Sequence, residues 1–222
     1  MLRYFFSLKK HILREKQIQE VKAMKKILII LIIAAVAFVA KNELGKKKFS
    51  ETMTDTRDGK VYGIARIGNQ VWMAENLNYE ITEKLCHGGT AICNCCLDDK
   101  KRNCDKYGRT YAWNEAMKAC PTGWHLPAKW EWDKLVETAG GELEAGKALK
   151  STSGWRFRGD GEDTYGFSAL PSDGRGQWAV FWTSSEINSD VAQSVAIGHD
   201  FDGMGEGESD KNFLFSIRCI KD

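Results

Sequence analysis

A run of fourteen apolar residues, 27–40, separates a basic leader from the rest of the chain and decides what that remainder can become. Lys25 and Lys26 precede the run, and Lys41 resumes polar sequence. As a helix it would measure about 21 Å, against a hydrocarbon core about 30 Å thick. A charged start, an apolar stretch of this length and the small-x-small sequence Ala35-Val36-Ala37 describe a secretory signal cleaved after Ala37, with Ala40 as the second site. An uncleaved short anchor that thins the bilayer locally is the alternative. Met24 offers an alternative start, because residues 1–23 place an unusually long basic stretch ahead of the run. The chain therefore divides into a targeting segment (1–40), a polar, non-periodic linker (41–58) and one folded domain (59–222).

All seven cysteines follow the run, and an exported chain meets an oxidising compartment in which disulfides persist. The formal charge of +2 conceals an asymmetry. Without the first 37 residues, which hold eight Lys or Arg and two Glu, 24 basic side chains face 28 acidic ones. A net negative domain without a basic stripe repels phosphate backbones, which excludes nucleic acid as a partner. Eight tryptophans supply ample material for a core.

Periodicity outlines the domain. Val61 to Ile67 and Val71-Trp72-Met73 flank Gly68-Asn69-Gln70, the pattern of a β-hairpin. Residues 82–106 are polar and rich in cysteine, which reads as a cross-linked loop. Residues 110–119 have helical spacing, with Tyr111, Trp113, Ala116 and Met117 on one face. A second helix runs from Pro127 to Ala139 with the stripe Ala128, Trp132, Leu135, Val136 and Ala139, stopped by Gly140-Gly141. A shorter helical piece covers 143–150. Short apolar runs at 166–170, 178–183, 191–197 and 213–220 read as strands. The result is an α+β domain: an N-terminal hairpin, two main helices, and C-terminal strands closing a mixed, mainly antiparallel sheet.

Several segments resemble a known family. Asp58-Gly59-Lys60-Val61-Tyr62, Gly68-Asn69-Gln70-Val71-Trp72-Met73-Ala74-Glu75-Asn76-Leu77-Asn78-Tyr79 and Tyr107-Gly108-Arg109-Thr110-Tyr111-Ala112-Trp113 occur in order. Cys120-Pro121-Thr122-Gly123-Trp124-His125-Leu126-Pro127, Tyr165-Gly166-Phe167-Ser168-Ala169-Leu170-Pro171, Trp182-Thr183-Ser184-Ser185-Glu186 and Ser216-Ile217-Arg218-Cys219-Ile220 follow. Together they resemble the Fibrobacter succinogenes major paralogous domain over about residues 55–222. The resemblance implies a surface or secreted domain without an established activity. It is distantly similar to C-type-lectin-like and formylglycine-generating sulfatase-modifying folds, which implies paired N- and C-terminal strands. Trp130 and the extra cysteines between Cys86 and Cys104 depart from the family pattern.

The candidate residues follow. A Cys120–Cys219 bridge would tie the end of the first helix to the last strand, and a Cys86–Cys104 bridge would close the cysteine-rich loop. Cys93, Cys95 and Cys96 then remain as an odd set, able to form further bridges, to link one copy of the chain to another, or to bind zinc with Cys86, Cys104 or His87. Trp130, outside the helix's core stripe, and Trp178, beside a glycine, are exposed-aromatic candidates for ligand stacking. The acidic residues Asp200, Asp202, Glu206, Glu208 and Asp210 on a glycine-rich stretch form a calcium candidate, although the EF-hand register fails. For catalysis, Ser184 or Ser185 with His199 and Asp200 lack a nucleophile-elbow signature, and no cofactor is implied. The expected function is an exported, non-catalytic module binding a glycan or another envelope component. A disulfide-linked structural or adhesion protein is the alternative, and a divergent enzyme of the sulfatase-modifying type comes third.

Overall fold

Gly68, at φ +59°, closes the hairpin between β2 (Val61–Ile67) and β3 (Gln70–Met73), whose register pairs Ile67 with Gln70. The structure is a computed structural model describing residues 51–81, 94–97 and 100–222, with Met24 an isolated further position. The targeting segment and the choice between signal and anchor lie outside the described residues, as do Cys86, His87 and Cys93. Among the described residues no helix is long and apolar enough to cross a membrane.

The domain starts earlier than the composition suggests. Residues assigned to the linker form β1 (Glu51–Thr54), antiparallel to β2 with Thr54 opposite Val61. Met53 packs against the interior, and buried Asp55 builds the intervening turn by accepting from the Arg57 side chain and backbone. Polarity disguised the strand: an edge strand with one inward side chain reads as linker.

Strands dominate the fold, and they form two sheets where one was expected. The first joins β1, β2 and β3 to β6 (Trp124–His125) through β11 (Ile220–Lys221), which lies between β3 and β6. The second orders β4 (Asn94–Cys96), β5 (Arg109–Tyr111), β10 (Phe215–Ser216), β7 (Trp178–Glu186), β8 (Val191–Gly198) and β9 (Gly205–Asp210). Its pairings are antiparallel except β10 with β7. The last strand does close onto the first hairpin, through Ile220 opposite Trp72. The chain changes sheet at Ile217-Arg218-Cys219, where the carbonyls of Ile217 and Cys219 accept from Leu77 and Met73.

Four helices are described: α1 (Lys101–Tyr107), α2 (Trp113–Ala119), α3 (Lys129–Thr138) and α4 (Ala145–Leu149). The expected helix over 110–119 begins only at Trp113. Arg109 to Tyr111 are drawn into β5 by their partners on β4 and β10. Gly108, at φ +74°, makes the turn into that strand, and a Cβ there would sit 2.6 Å from Asn76 Cβ. Residues 166–170 form no strand beyond a single bridge from Ala169 to Lys150, because Gly166 (φ +70°) and Ser168 (φ +53°) break the extended path.

Two cores cover the β7–β8 hairpin. One sets Trp72, Trp132, Phe167 and Phe181 against α3 and α4, with Trp72 and Trp132 centroids 4.8 Å apart. The other gathers Tyr62, Tyr111, Trp113, Trp182 and Ile217. Aromatic pairs of this kind add about 0.5–1.5 kcal/mol beyond their burial. Arg218, fully buried, stitches the segments together by donating to Asn76 Oδ1, Met73 O, Phe167 O and Ser168 O. Burial pushes its pKa down to about 9, opposed by Glu75 and Asp163.

Candidate functional site

Helix α3 shows how neighbouring tryptophans meet opposite fates. Glu131, almost buried, accepts from the Ala128 backbone N–H and hydrogen-bonds His125, which also meets Asp222 at 2.7 Å. These bonds fix the first turn. Trp132 then faces the core at 0% exposure, while Trp130 stands in solvent at 67%. Gly141 ends the helix in a left-handed conformation (φ +88°), its N–H donating to Val136 O.

A second group of exposed aromatics gathers where β7 begins and β8 ends. Trp178 pairs with Gly198, and its ring lies so close that a Cβ on Gly198 would meet Trp178 Cζ3 at 2.8 Å. The next residue, His199, has its ring centroid 5.8 Å from that of Phe157. Trp178 and Phe157 thus rest on consecutive residues, and they remain 44% and 74% exposed. Phe157 (φ 52°) and Arg158 (φ 64°) both occupy the left-handed region, which strains a side-chain-bearing residue by about 1–2 kcal/mol. Arg156 bonds through its N–H to Gly176 O and lies 4.5 Å above the Phe157 ring. Gly159 permits the turn, since a Cβ there would lie 2.1 Å from His199 O. His199 Nδ1 is buried without a hydrogen bond, 3.6 Å from Asp200 Oδ1.

Beneath this face sits a lysine that sequence reasoning missed. Lys150 is buried, and its Nζ donates to the carbonyls of Gly198 (3.2 Å) and Phe201 (3.1 Å), with Asp202 at 3.9 Å. Burial lowers its pKa, while Asp202, Asp200 and Asp160 oppose the fall. The same stretch receives Lys147 N–H on Asp202 O and gives Met204 N–H to Glu142 O. The calcium candidates lie around this lysine: the carbonyls of Gly198, Phe201 and Asp202 accept from Lys150 and Lys147, and Glu206, Glu208 and Asp210 lie in β9. Among the described residues no group of three or more His, Cys, Asp or Glu is arranged to hold a metal ion.

Cys120 and Cys219 form a disulfide across 99 residues of sequence. Cys104 bonds Cys96, eight residues away, in place of Cys86. The pairing follows from β4 and α1 lying together, which brings the two Cα atoms to 4.8 Å. With Cys96 and Cys104 bonded, they cannot serve as zinc thiolates. Cys95 is the free cysteine among the described residues, half-buried and 3.3 Å from Thr110 Oγ1. Cys219, being bridged, supplies no free thiol of the formylglycine-generating kind.

The structure does not unite the other sequence candidates. Ser185 Oγ accepts from Lys129 N–H near the end of β7 opposite Trp178. Seven residues at about 3.3 Å each place the two ends about 20 Å apart. Ser184 and Ser185 are therefore remote from His199, and Trp130, on the helix that starts at Lys129, belongs to a different surface from Trp178. Phe157 carried no sequence signal, because nothing in Trp155-Arg156-Phe157-Arg158 announces a left-handed turn.

Two sheets, four described helices and two disulfides define a disulfide-bonded α+β domain. The particular family follows from the chain as a whole: residues 65–221 match the Fibrobacter succinogenes major domain, and the protein belongs to that family. No curated protein and no solved structure was found to match it.

Proposed function

We propose that this chain is an exported, non-catalytic binding module that holds a glycan or related envelope component against Phe157 and Trp178. The observation that carries the reading is Phe157, an aromatic ring 74% exposed on a backbone that disfavours any side chain there. Strain of this kind persists where surrounding structure enforces it, and it concentrates at ligand sites. Paired aromatic faces beside arginine and carboxylate groups suit a sugar ring, which offers an apolar face and hydroxyl edges. Two disulfides are compatible with an extracytoplasmic location. The pairing of the first hairpin with the last strand supports the lectin-like analogy.

The test uses the full chain, oxidatively folded, against a glycan array and insoluble polysaccharides, with and without calcium. Saturable, calcium-independent binding that falls at least tenfold on Trp178→Ala supports the proposal. Absence of binding to every glycan, or binding unchanged in Trp178→Ala and Phe157→Gly, rejects it. The rival reading, a structural protein linked through Cys95, predicts reductant-sensitive oligomers on non-reducing electrophoresis.

A further inference from the structure

Two loops bring three exposed arginines to the face that carries Phe157 and Trp178. Arg156 and Arg158 flank Phe157, and Arg175 stands between Gly174 (φ +71°) and Gly176 (φ +78°). The loops meet through their backbones. Arg156 N–H donates to Gly176 O at 2.8 Å, and a Cβ on Gly176 would lie 3.4 Å from Arg156 N. Asp173 shapes the second loop by accepting from the N–H groups of Arg175 and Gln177, and Trp178 then opens β7.

These guanidinium groups lack what other arginines of the chain have. Arg57, Arg66 and Arg109 pair with Asp55, Glu51 and Glu80. Arg156, Arg158 and Arg175 form no ion pair and no side-chain hydrogen bond among the described residues. The neighbouring carboxylates are engaged elsewhere. Asp160 Oδ1 accepts from Trp155 N–H at 2.9 Å, Asp173 holds its own loop, and Asp200 faces His199 Nδ1 at 3.6 Å. Arg156 lies instead 4.5 Å from the Phe157 ring centroid, so an aromatic face and a set of N–H donors without acceptors stand side by side. An arginine stays charged throughout the working pH range, and its planar fork matches a carboxylate with two parallel hydrogen bonds. The domain as a whole is net negative, so this positive feature is local and suits a few carboxylates on a sugar chain rather than a continuous polyanion.

Building on the glycan reading above, we infer that the ligand held at Phe157 and Trp178 is an acidic glycan containing uronic acid residues. The apolar face of a sugar ring stacks on the aromatic rings, and its carboxylate accepts from the guanidinium groups of Arg158 and Arg175 and from the free N–H edge of Arg156. Aromatic contact alone would hold neutral and acidic sugars alike; the arginines supply the discrimination.

The experiment titrates the full chain, oxidatively folded, with trigalacturonic acid and with the same trisaccharide after reduction of its carboxyl groups, read by calorimetry. The acid should bind about tenfold tighter in low salt, and the gap should narrow in about 0.5 M salt. Arg158→Gln with Arg175→Gln leaves the stacked Arg156 in place and should cut the acid-to-neutral ratio at least about threefold. Arg66→Gln with Arg102→Gln, on β2 and α1, removes the same charge elsewhere and should leave the ratio unchanged. Thermal melting identifies any variant that fails to fold. Equal affinity for the two trisaccharides, or an equal fall in ratio for both arginine pairs, overturns the inference while the broader glycan reading stands. Binding of neither trisaccharide overturns it as well, and the glycan array then decides the broader reading by itself.

Discussion

Trp132 and Phe157 show two ways this chain uses a large aromatic ring. Trp132 sits among Trp72, Phe167 and Phe181, with centroids 4.8, 6.1 and 5.4 Å away, on regular helical backbone. Phe157 stands largely in solvent on a left-handed residue, with its ring against His199 and Arg156. Packing against three aromatic rings accounts for the first. The second is exposed and sits on strained backbone. The difference separates rings that hold the domain together from rings the domain holds out.

The largest expected effect tests the buried side of that contrast. Trp132→Ala should destabilise the fold by about 3–5 kcal/mol in denaturant unfolding, and Trp130→Ala, two residues away, by less than about 0.5 kcal/mol. Similar costs at both positions would break the distinction. Arg218→Met comes next. It removes the donor shared by Asn76 Oδ1 and three carbonyls beneath Phe167, and should cost about 3 kcal/mol by the same measurement.

Phe157→Gly should act in the opposite direction. Glycine accepts φ 52° without strain, so stability should hold or rise by about 1 kcal/mol, while the glycan binding proposed above should be lost. A clear loss of stability would show that Phe157 serves the fold after all. The smallest effect concerns the setting of α3. Burial depresses the pKa of His125, but hydrogen bonds and charge from Asp222 and Glu131 outweigh burial and raise it above 6.5. Its contribution is therefore present in full below the unfolded value and lost as pH rises through the folded one. His125→Gln should narrow the stability gap between pH about 5.5 and about 8.5, by under about 1 kcal/mol for so exposed a contact. An unchanged gap would remove His125 from the account of why Trp130 and Trp132 face opposite ways.

How much of this was legible in the sequence depended on whether a segment decides its own structure. The hairpin at Gly68 and the helix stopped by Gly140-Gly141 are local decisions, and they were readable. β5 and β9 are not. Arg109-Thr110-Tyr111 continues a helical spacing and becomes a strand through its partners, and Gly-Glu-Gly-Glu-Ser-Asp extends because β8 offers it an edge. The candidate site divides in the same way. Trp178 was visible beside its glycine, whereas Phe157 and Lys150 act through a loop conformation and a burial that only the folded chain creates. The Cys96–Cys104 pairing was equally hidden, because spacing alone does not show which elements will meet.

The strands β10 and β11 deserve a last consequence. Residues 215–221 lie inside both sheets, between β5 and β7 in one and between β3 and β6 in the other. Cys219, between those strands, also bears the long-range disulfide. A ribosome delivering this chain from its N-terminus therefore leaves both sheets unfinished until residue 221 has emerged. One seven-residue segment thus supplies an inner strand to each sheet.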